Sequence, residues 1–298
     1  MTTRTKIVRV VSVACLFALA LAAQNAKWSL AERIDHSDTA KYFRVVHGHQ
    51  GAGEQRLTDL VEGVPFTTNI RWLHKGWLEP KGGIGHHFHL GLEDMFVIFD
   101  GETQYTVDGR TSVLKAPASA PLRMGHSHAI YNATDKPVEF MNIVVTNVKG
   151  KADAFDLGDD RVGAPLDPKP VFINVRYDPA LLRPVERMSG CSGVARYRPV
   201  LGPEVFSTPW AYIDHVLLPP GSSIGRHLHT GVEEIYYVMN GEGRLQVGKE
   251  TAAIRRGDAI AVLLNEAHSI EPVGSAGLEI LLTGVALGKG KIDSVDVK

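Results

Sequence analysis

Cysteine is nearly absent: the 298 residues hold two, Cys15 and Cys191. Cys15 lies in an N-terminal segment that reads as removable. The remaining thiol cannot close an internal disulfide, which excludes a disulfide-stapled scaffold. Cys191 is expected to behave as a small buried hydrophobe, with pairing between chains as the alternative. An excess of either charge is also missing. Lys and Arg number 32 against 33 Asp and Glu, a formal net charge of -1, so nothing in the charge balance calls for nucleic acid or an anionic membrane as a partner. The chain has no basic stripe and no Gly-rich phosphate loop ahead of a helix. Heptads and long amphipathic helices are missing too, which removes a coiled-coil partner.

The N-terminus differs in kind from the rest. Arg4, Lys6 and Arg9 precede an apolar run over residues 10–23, with small residues at Ala18, Ala20, Ala22 and Ala23. This is the pattern of a secretory signal with an A-x-A-like exit. The run is shorter than the ~20 apolar residues of a membrane span, although an uncleaved anchor is the competing reading. Residues 1–23 are therefore expected to be removed. The mature protein would be exported, periplasmic or secreted, without membrane contact.

What remains is long enough for two domains. Residues 24–65 read as an irregular arm, with a short helix beginning at Ser29. From Phe66 onward, short alternating runs are separated by turn signals such as Asp108-Gly109, with residues 239–243 read as a hairpin turn, the mark of many short strands in a sandwich or barrel. The first such block covers residues 66–148. Residues 149–186 read as a linker with a short helical turn near Pro179, residues 187–287 as a second block, and residues 288–298 as a loose tail.

The two blocks repeat at a constant offset of 140 residues, without a gap, over roughly eighty positions, a period far above the ~20–50 of solenoids. His87 and His89 return as His227 and His229, Asp94 as Glu234, Gly101 as Gly241 and His128 as His268. Residues two apart on a strand share a face, so each H-x-H pair can reach one ion. The acid and the distant third histidine complete a first-row-metal ligand set with open positions. A lone H-x-H is usually accidental; four ligand types at matched spacing, twice, are not. The first set is the weaker, because Asp94 is one methylene shorter than Glu.

This pattern resembles the cupin superfamily. Gly221, His227, His229, Glu234 and Gly241 match its first motif in full, and Gly248, Gly257 and His268 resemble its second. The departures are Lys81 for the leading glycine and Asp94 for Glu in the first copy, and Pro272 for an asparagine in the second. The resemblance implies an all-β chain of two tandem jelly-roll barrels, with short helices in the arm and linker. It also implies up to two divalent transition metals, at His87, His89, Asp94 and His128 and at His227, His229, Glu234 and His268. Fe or Mn stands first, with Cu, Ni and Zn compatible.

Strand parity places Glu266 and His126, each two residues before the third histidine, on the ligand face as candidate acids or bases, against the plainer reading of polar barrel-mouth residues. Tyr236, opposite Phe96 in the first copy, reads as pocket wall ahead of catalyst. Arg226 and His86 should point away. Glu93 is a fallback ligand, but a turn residue is simpler since Glu233 stands beside Glu234 in the same way. His47, His49 and His74 are expected at the surface or in packing. The functions left are a dioxygenase-like oxidoreductase acting on a small oxygen-bearing molecule, a non-redox lyase, isomerase or decarboxylase, and an exported sugar-like or metal binder without turnover. Oxalate chemistry is disfavoured, because Ile84 and Ile224 stand where bicupins that cleave oxalate carry an arginine. Assembly into a homo-oligomer is open.

Overall fold

The computed structural model describes residues 28–191 and 193–297. The expected signal segment, residues 1–23, lies outside them. Among the described residues no helix is long and apolar enough to cross a membrane.

Among the described residues the regular structure is nearly all strand, punctuated by single 3-10 turns such as Ala31–Arg33, Thr39–Lys41 and Pro179–Leu181. Asp38 and Asp178, at the same offset of 140, each cap their turn by accepting the N–H two residues on, a local reason for the turn to form there. The first barrel closes a five-stranded sheet against a seven-stranded one. In the second barrel the corresponding strands join into one sheet, because Val232–Val247 runs through both layers.

That continuity corrects a sequence expectation. Residues 239–243 read as a hairpin turn, but the chain does not reverse there. Residues 232–238 pair with Leu278–Ala286, and residues 242–247 pair with Glu250–Arg255. The register slips between Val238 and Asn240. Gly241 takes φ 85° at the bend, and a Cβ there would meet Gly277 O at 2.0 Å, so only glycine fits.

Alternation along Leu92–Ile98 explains how two barrels share one molecule. Asp94, Phe96 and Ile98 point into the first barrel, where Phe96 and Ile98 join its interior cluster with Tyr105, Ile130 and Phe140. Met95 and Val97 point outward into a core shared with Ile213, Ile235, Tyr237 and Leu281 of the second barrel. Both faces of this strand are therefore buried, as period-two geometry allows only where something packs on each side. The second copy repeats the division: Tyr236 and Val238 lie inward, Ile235 and Tyr237 outward.

The halves also exchange strands. Ile34–His36, from the N-terminal arm, pairs with Asp258–Val262 of the second barrel. Val175–Arg176, 140 residues later, pairs with Ala118–Leu122 of the first. The tail, residues 288–298, expected to be loose, is pinned within its described part: Val295–Asp296 pairs with the strand carrying His227, as Phe155–Asp156 pairs with the strand carrying His87. The 140-residue repeat thus extends well beyond the stretch first recognised.

Candidate metal centres

In each barrel the first and third histidines sit directly opposite on antiparallel strands, His87 with His128 and His227 with His268. Register alone brings them together. The second histidine stands just past its strand and is held from behind. His229 Nδ1 bonds to the Asp293 carbonyl, and the Asp293 carboxylate accepts the N–H groups of Thr230 and Gly231. His89 Nδ1 meets the Asp153 carbonyl, with the Asp153 carboxylate accepting from Leu90 and Gly91. Sequence reasoning missed both aspartates. Their signal was present: Lys149, Gly150, Lys151 and Asp153 recur as Lys289, Gly290, Lys291 and Asp293.

The second barrel gathers His227, His229, Glu234 and His268, all buried, with one donor atom from each lying within 4.8 Å of the others. His227 Nδ1 donates to Gly225 O at 2.8 Å and His268 Nδ1 to Glu266 O at 2.9 Å. With His229 held in the same way, every Nδ1 is committed to a carbonyl, which fixes the tautomer and turns each Nε2 lone pair inward. Nε2 of His229 has no hydrogen-bond partner, and Nε2 of His268 meets only the Glu234 carboxylate. A buried unpartnered nitrogen is costly, and a cation removes that cost, so the donor set fits a metal ion. Glu234 Oε2 lies 2.9 Å from His268 Nε2, and Tyr212 and Tyr236 donate to the carboxylate at 2.6 and 3.0 Å. Burial alone would raise the Glu234 carboxyl, but the His268 bond and the field of the three imidazoles overrule it and hold the group well below the usual carboxylate range. It is an ionised ligand in waiting.

The first barrel gathers only His87, His89 and His128. His87 Nδ1 donates to Gly85 O, and its Nε2 lies 3.0 Å from His128 Nε2, a pair that needs a shared proton or a cation between them. Asp94 is drawn aside. Its Oδ2 is 3.6 Å from His128 Nε2 and accepts the Asn142 amide at 3.0 Å, while Trp72 Nε1 fixes Asn142 from behind. Burial raises Asp94 to about 7 and, with His49 adding to the effect, lowers His87 to about 3. The short side chain expected to be the weak ligand is the one outside the converging group.

Five other expectations change. Glu266 lines neither of the two cavities at the histidine clusters: its carboxylate bonds Arg33 of the arm at 2.5 Å and the Leu263 N–H at 2.9 Å. His126 is half-buried, away from the cavity wall, and bonds Asp108. Parity misplaces both because the strands begin after them, at Ser127 and His268, and period two does not hold through a turn. Glu93 and Glu233 are neither ligands nor turn residues. Each is buried and reaches into the other barrel, Glu93 accepting from Ser207 and Thr208, Glu233 from Thr67 and Thr68. His49 stacks on His87 with ring centroids 3.8 Å apart, and His49 and His74 both line the first cavity. Cys191 is half-buried, and its sulfur accepts from Ser223. Arg226 and His86 turn away as expected, to Gly248 O and Ser127.

Each centre opens on a cavity, of about 550 Å³ in the first barrel and about 480 Å³ in the second. Ile84 lines the first and Ile224 the second, and among the described residues no lysine or arginine lines either. Tyr236 is buried in the wall of the second. Asp214, also in that wall and missed from sequence, keeps one oxygen, Oδ1, without a partner.

A sequence profile of the cupin domain matches residues 77–144 and again 214–284. An oxalate-binding protein of Thermotoga maritima is 34% identical over 103 residues, which are 35% of this chain and 85% of that protein. The oxalate decarboxylase of Lactobacillus farciminis, solved as a formate complex, superposes with a TM-score of 0.61 at 16% identity over 88% of both chains. A salicylate 1,2-dioxygenase from Pseudaminobacter salicylatoxidans gives 0.60 at 14% identity over 77% of this chain and 76% of its own. These superpositions speak for the fold. With a ligand frame built twice on curled antiparallel sheets and a relative matched over most of its length, the chain belongs to the cupin family and carries two cupin domains in tandem.

Proposed function

We propose that the protein is a metal-dependent oxidoreductase of the dioxygenase type, acting in the second barrel on a small, apolar-bodied molecule that bears oxygen. The observation that carries this reading is the contrast between a complete four-donor set and a cavity wall without a cation. A divalent first-row ion held by His227, His229, Glu234 and His268, Fe or Mn first, would supply Lewis acidity, redox capacity and open positions.

The chain's own residues define what can enter. Ile224, Leu201, Pro199 and Leu282 make the wall apolar, and the room of about 480 Å³ is ample for a ring-sized body. A small dianion such as oxalate would find no lysine or arginine to balance its second charge, which is costly in a buried site. Tyr212 and Tyr236 hold Glu234 in one orientation, and the Asp293 carbonyl holds His229. The donors are preorganised instead of being gathered by the substrate. The first barrel keeps three imidazoles, so up to two ions per chain belong to the same reading. The basic and apolar N-terminal pattern supports export of the mature protein.

The test is oxygen uptake by Fe- or Mn-loaded protein presented with a panel of hydroxylated aromatics and with oxalate, metal content being measured in parallel. Uptake matched to loss of a hydroxylated compound supports the proposal. Release of CO2 from oxalate without net uptake would instead establish the lyase alternative.

A further inference from the structure

Three carboxylates line the second cavity: Glu234, Asp293 and Asp214. Two are fully engaged. Glu234 lies among the imidazoles and accepts from two tyrosines. Asp293 accepts from Thr230 through one oxygen and from Gly231 through the other. Asp214 differs. Its Oδ2 accepts the Tyr197 hydroxyl at 3.0 Å, while Oδ1 is buried with no partner, on a residue only 6% exposed. A buried carboxylate oxygen left bare in an organic-walled cavity is a costly feature unless a ligand proton comes to it.

The surroundings of Asp214 contain no cation to neutralise it. Tyr197 faces it from Val194–Leu201, Tyr212 shares its strand, and Glu234 and Tyr236 face it from Val232–Val247. Across the sheet its partner is the apolar Leu282. Nearby positive groups point elsewhere: Arg198 bonds the Arg176 carbonyl, and His215 bonds Glu279. The equivalent position of the first barrel holds His74, also in the cavity wall. Both copies therefore carry a proton-exchanging side chain at one point of the wall, with different chemistry.

We infer that Asp214 is a catalytic base for the second cavity, taking the proton of a substrate hydroxyl. This rests on the metal-dependent reading above and narrows it to hydroxyl-bearing substrates, phenols and enols. In the step, the substrate O–H bond breaks and an Oδ1–H bond forms. The electron pair stays on the substrate oxygen, which becomes an anion suited to a cation at the four-donor set. Tyr197 stays bonded to Oδ2 throughout. No oxidant enters. Burial raises the Asp214 carboxyl to about 7, against the lowering effect of the Tyr197 bond, which places it where a base can both take and return a proton near neutrality.

The experiment counts protons. Full-length protein loaded with Mn(II), its occupancy checked, is titrated with catechol by calorimetry in two buffers of different ionisation enthalpy at about pH 8, roughly one unit above the Asp214 transition. In the wild type the catechol proton stays on Asp214. Asp214→Asn cannot hold it, so the variant releases about one proton more per catechol bound, and below pH 8 its affinity falls about tenfold per pH unit where the wild type stays level until near 7. Tyr197→Phe, which keeps the carboxylate and removes a bond that lowers its pKa, moves the wild-type break to higher pH. Equal proton counts in wild type and Asp214→Asn, with catechol bound by both, would refute the inference and leave the metal-dependent reading standing. Catechol failing to bind Mn-loaded wild type at any pH would remove both. A merely structural Asp214 would weaken binding in the variant without altering the proton count.

Discussion

Replacing Glu93 by alanine tests how the two barrels are held together. Its carboxylate accepts the Ser207 N–H at 2.9 Å, the Thr208 N–H at 2.7 Å and the Thr208 hydroxyl at 2.6 Å, and Glu93 is fully buried. The substitution strands these two backbone donors and the hydroxyl, and also the Met124 N–H at 3.3 Å, in a buried interface. Each stranded donor costs about 1–3 kcal/mol, and breaking one side of a buried charged cluster costs about 3–5 kcal/mol. The hydroxyl can turn elsewhere and the carboxylate's own desolvation cost disappears, so we expect a net loss of about 4 kcal/mol. At about 2–4 °C per kcal/mol for a chain of this size, the melting temperature falls by about 8–16 °C. The assay is urea and thermal unfolding followed by circular dichroism, with metal content measured on the same samples. Glu233→Ala should lose a similar amount, because its bonds to Thr67 and Thr68 mirror those of Glu93. A loss under about 1 kcal/mol would refute the clamp. A fall in first-barrel metal with stability unchanged would return Glu93 to the role of a ligand.

Three other outcomes follow from the geometry. Glu234→Gln should lower second-barrel metal affinity at least tenfold, whereas Asp94→Asn should leave first-barrel affinity nearly unchanged, because Asp94 is held aside by Asn142; elemental analysis after dialysis separates the two, and equal losses would contradict the asymmetry. For metal-free protein, Asp214 binds its proton more tightly folded, at about 7, than its ordinary 3.8. Its stabilising contribution is present below about pH 4 and is lost as pH rises to about 7, by up to about 4 kcal/mol. Asp214→Asn should flatten that slope in denaturant midpoints against pH, and an unchanged slope would contradict it. Gly225→Ala should destabilise by more than about 2 kcal/mol and lower metal content, since its Cβ would meet Ser189 O at 2.0 Å and the Gly225 carbonyl holds His227; a stable, fully loaded variant would show that the backbone yields there.

The ligand frame was legible in the sequence because it depends on local quantities: histidines two positions apart, strand parity, and an offset that carries each element onto its copy. Those hold wherever a strand is continuous: the offset carried all six histidines into two clusters, and Glu234 and Tyr236 fell on the inward face where parity put them, whereas Asp94 faces inward but stays outside its cluster. Parity failed at Glu266 and His126, which precede the strands they were read on. Glu93 and Glu233 were unreadable because their partners lie across the molecule, a matter of how one barrel packs on the other. Asp214 and His74 differ in type between copies, so the offset did not mark them, whereas the Asp153 and Asp293 repeat was visible and lay past the boundary assumed for the blocks.

The exchanged arms carry one more consequence. Each half lends an edge strand to the other, and a 103-residue match to this chain covers 85% of the Thermotoga maritima relative. The chain therefore has the form of a dimer whose subunits have been joined end to end. In a dimer of identical subunits every change in one pocket appears in both. Joining the subunits lifts that constraint, and the two walls show the result: Trp72 in the first stands at the position of Tyr212 in the second, His74 at that of Asp214, and Asp94 at that of Glu234. One scaffold, stabilised as a symmetric pair, can thereby keep one pocket for chemistry while its twin takes up another task.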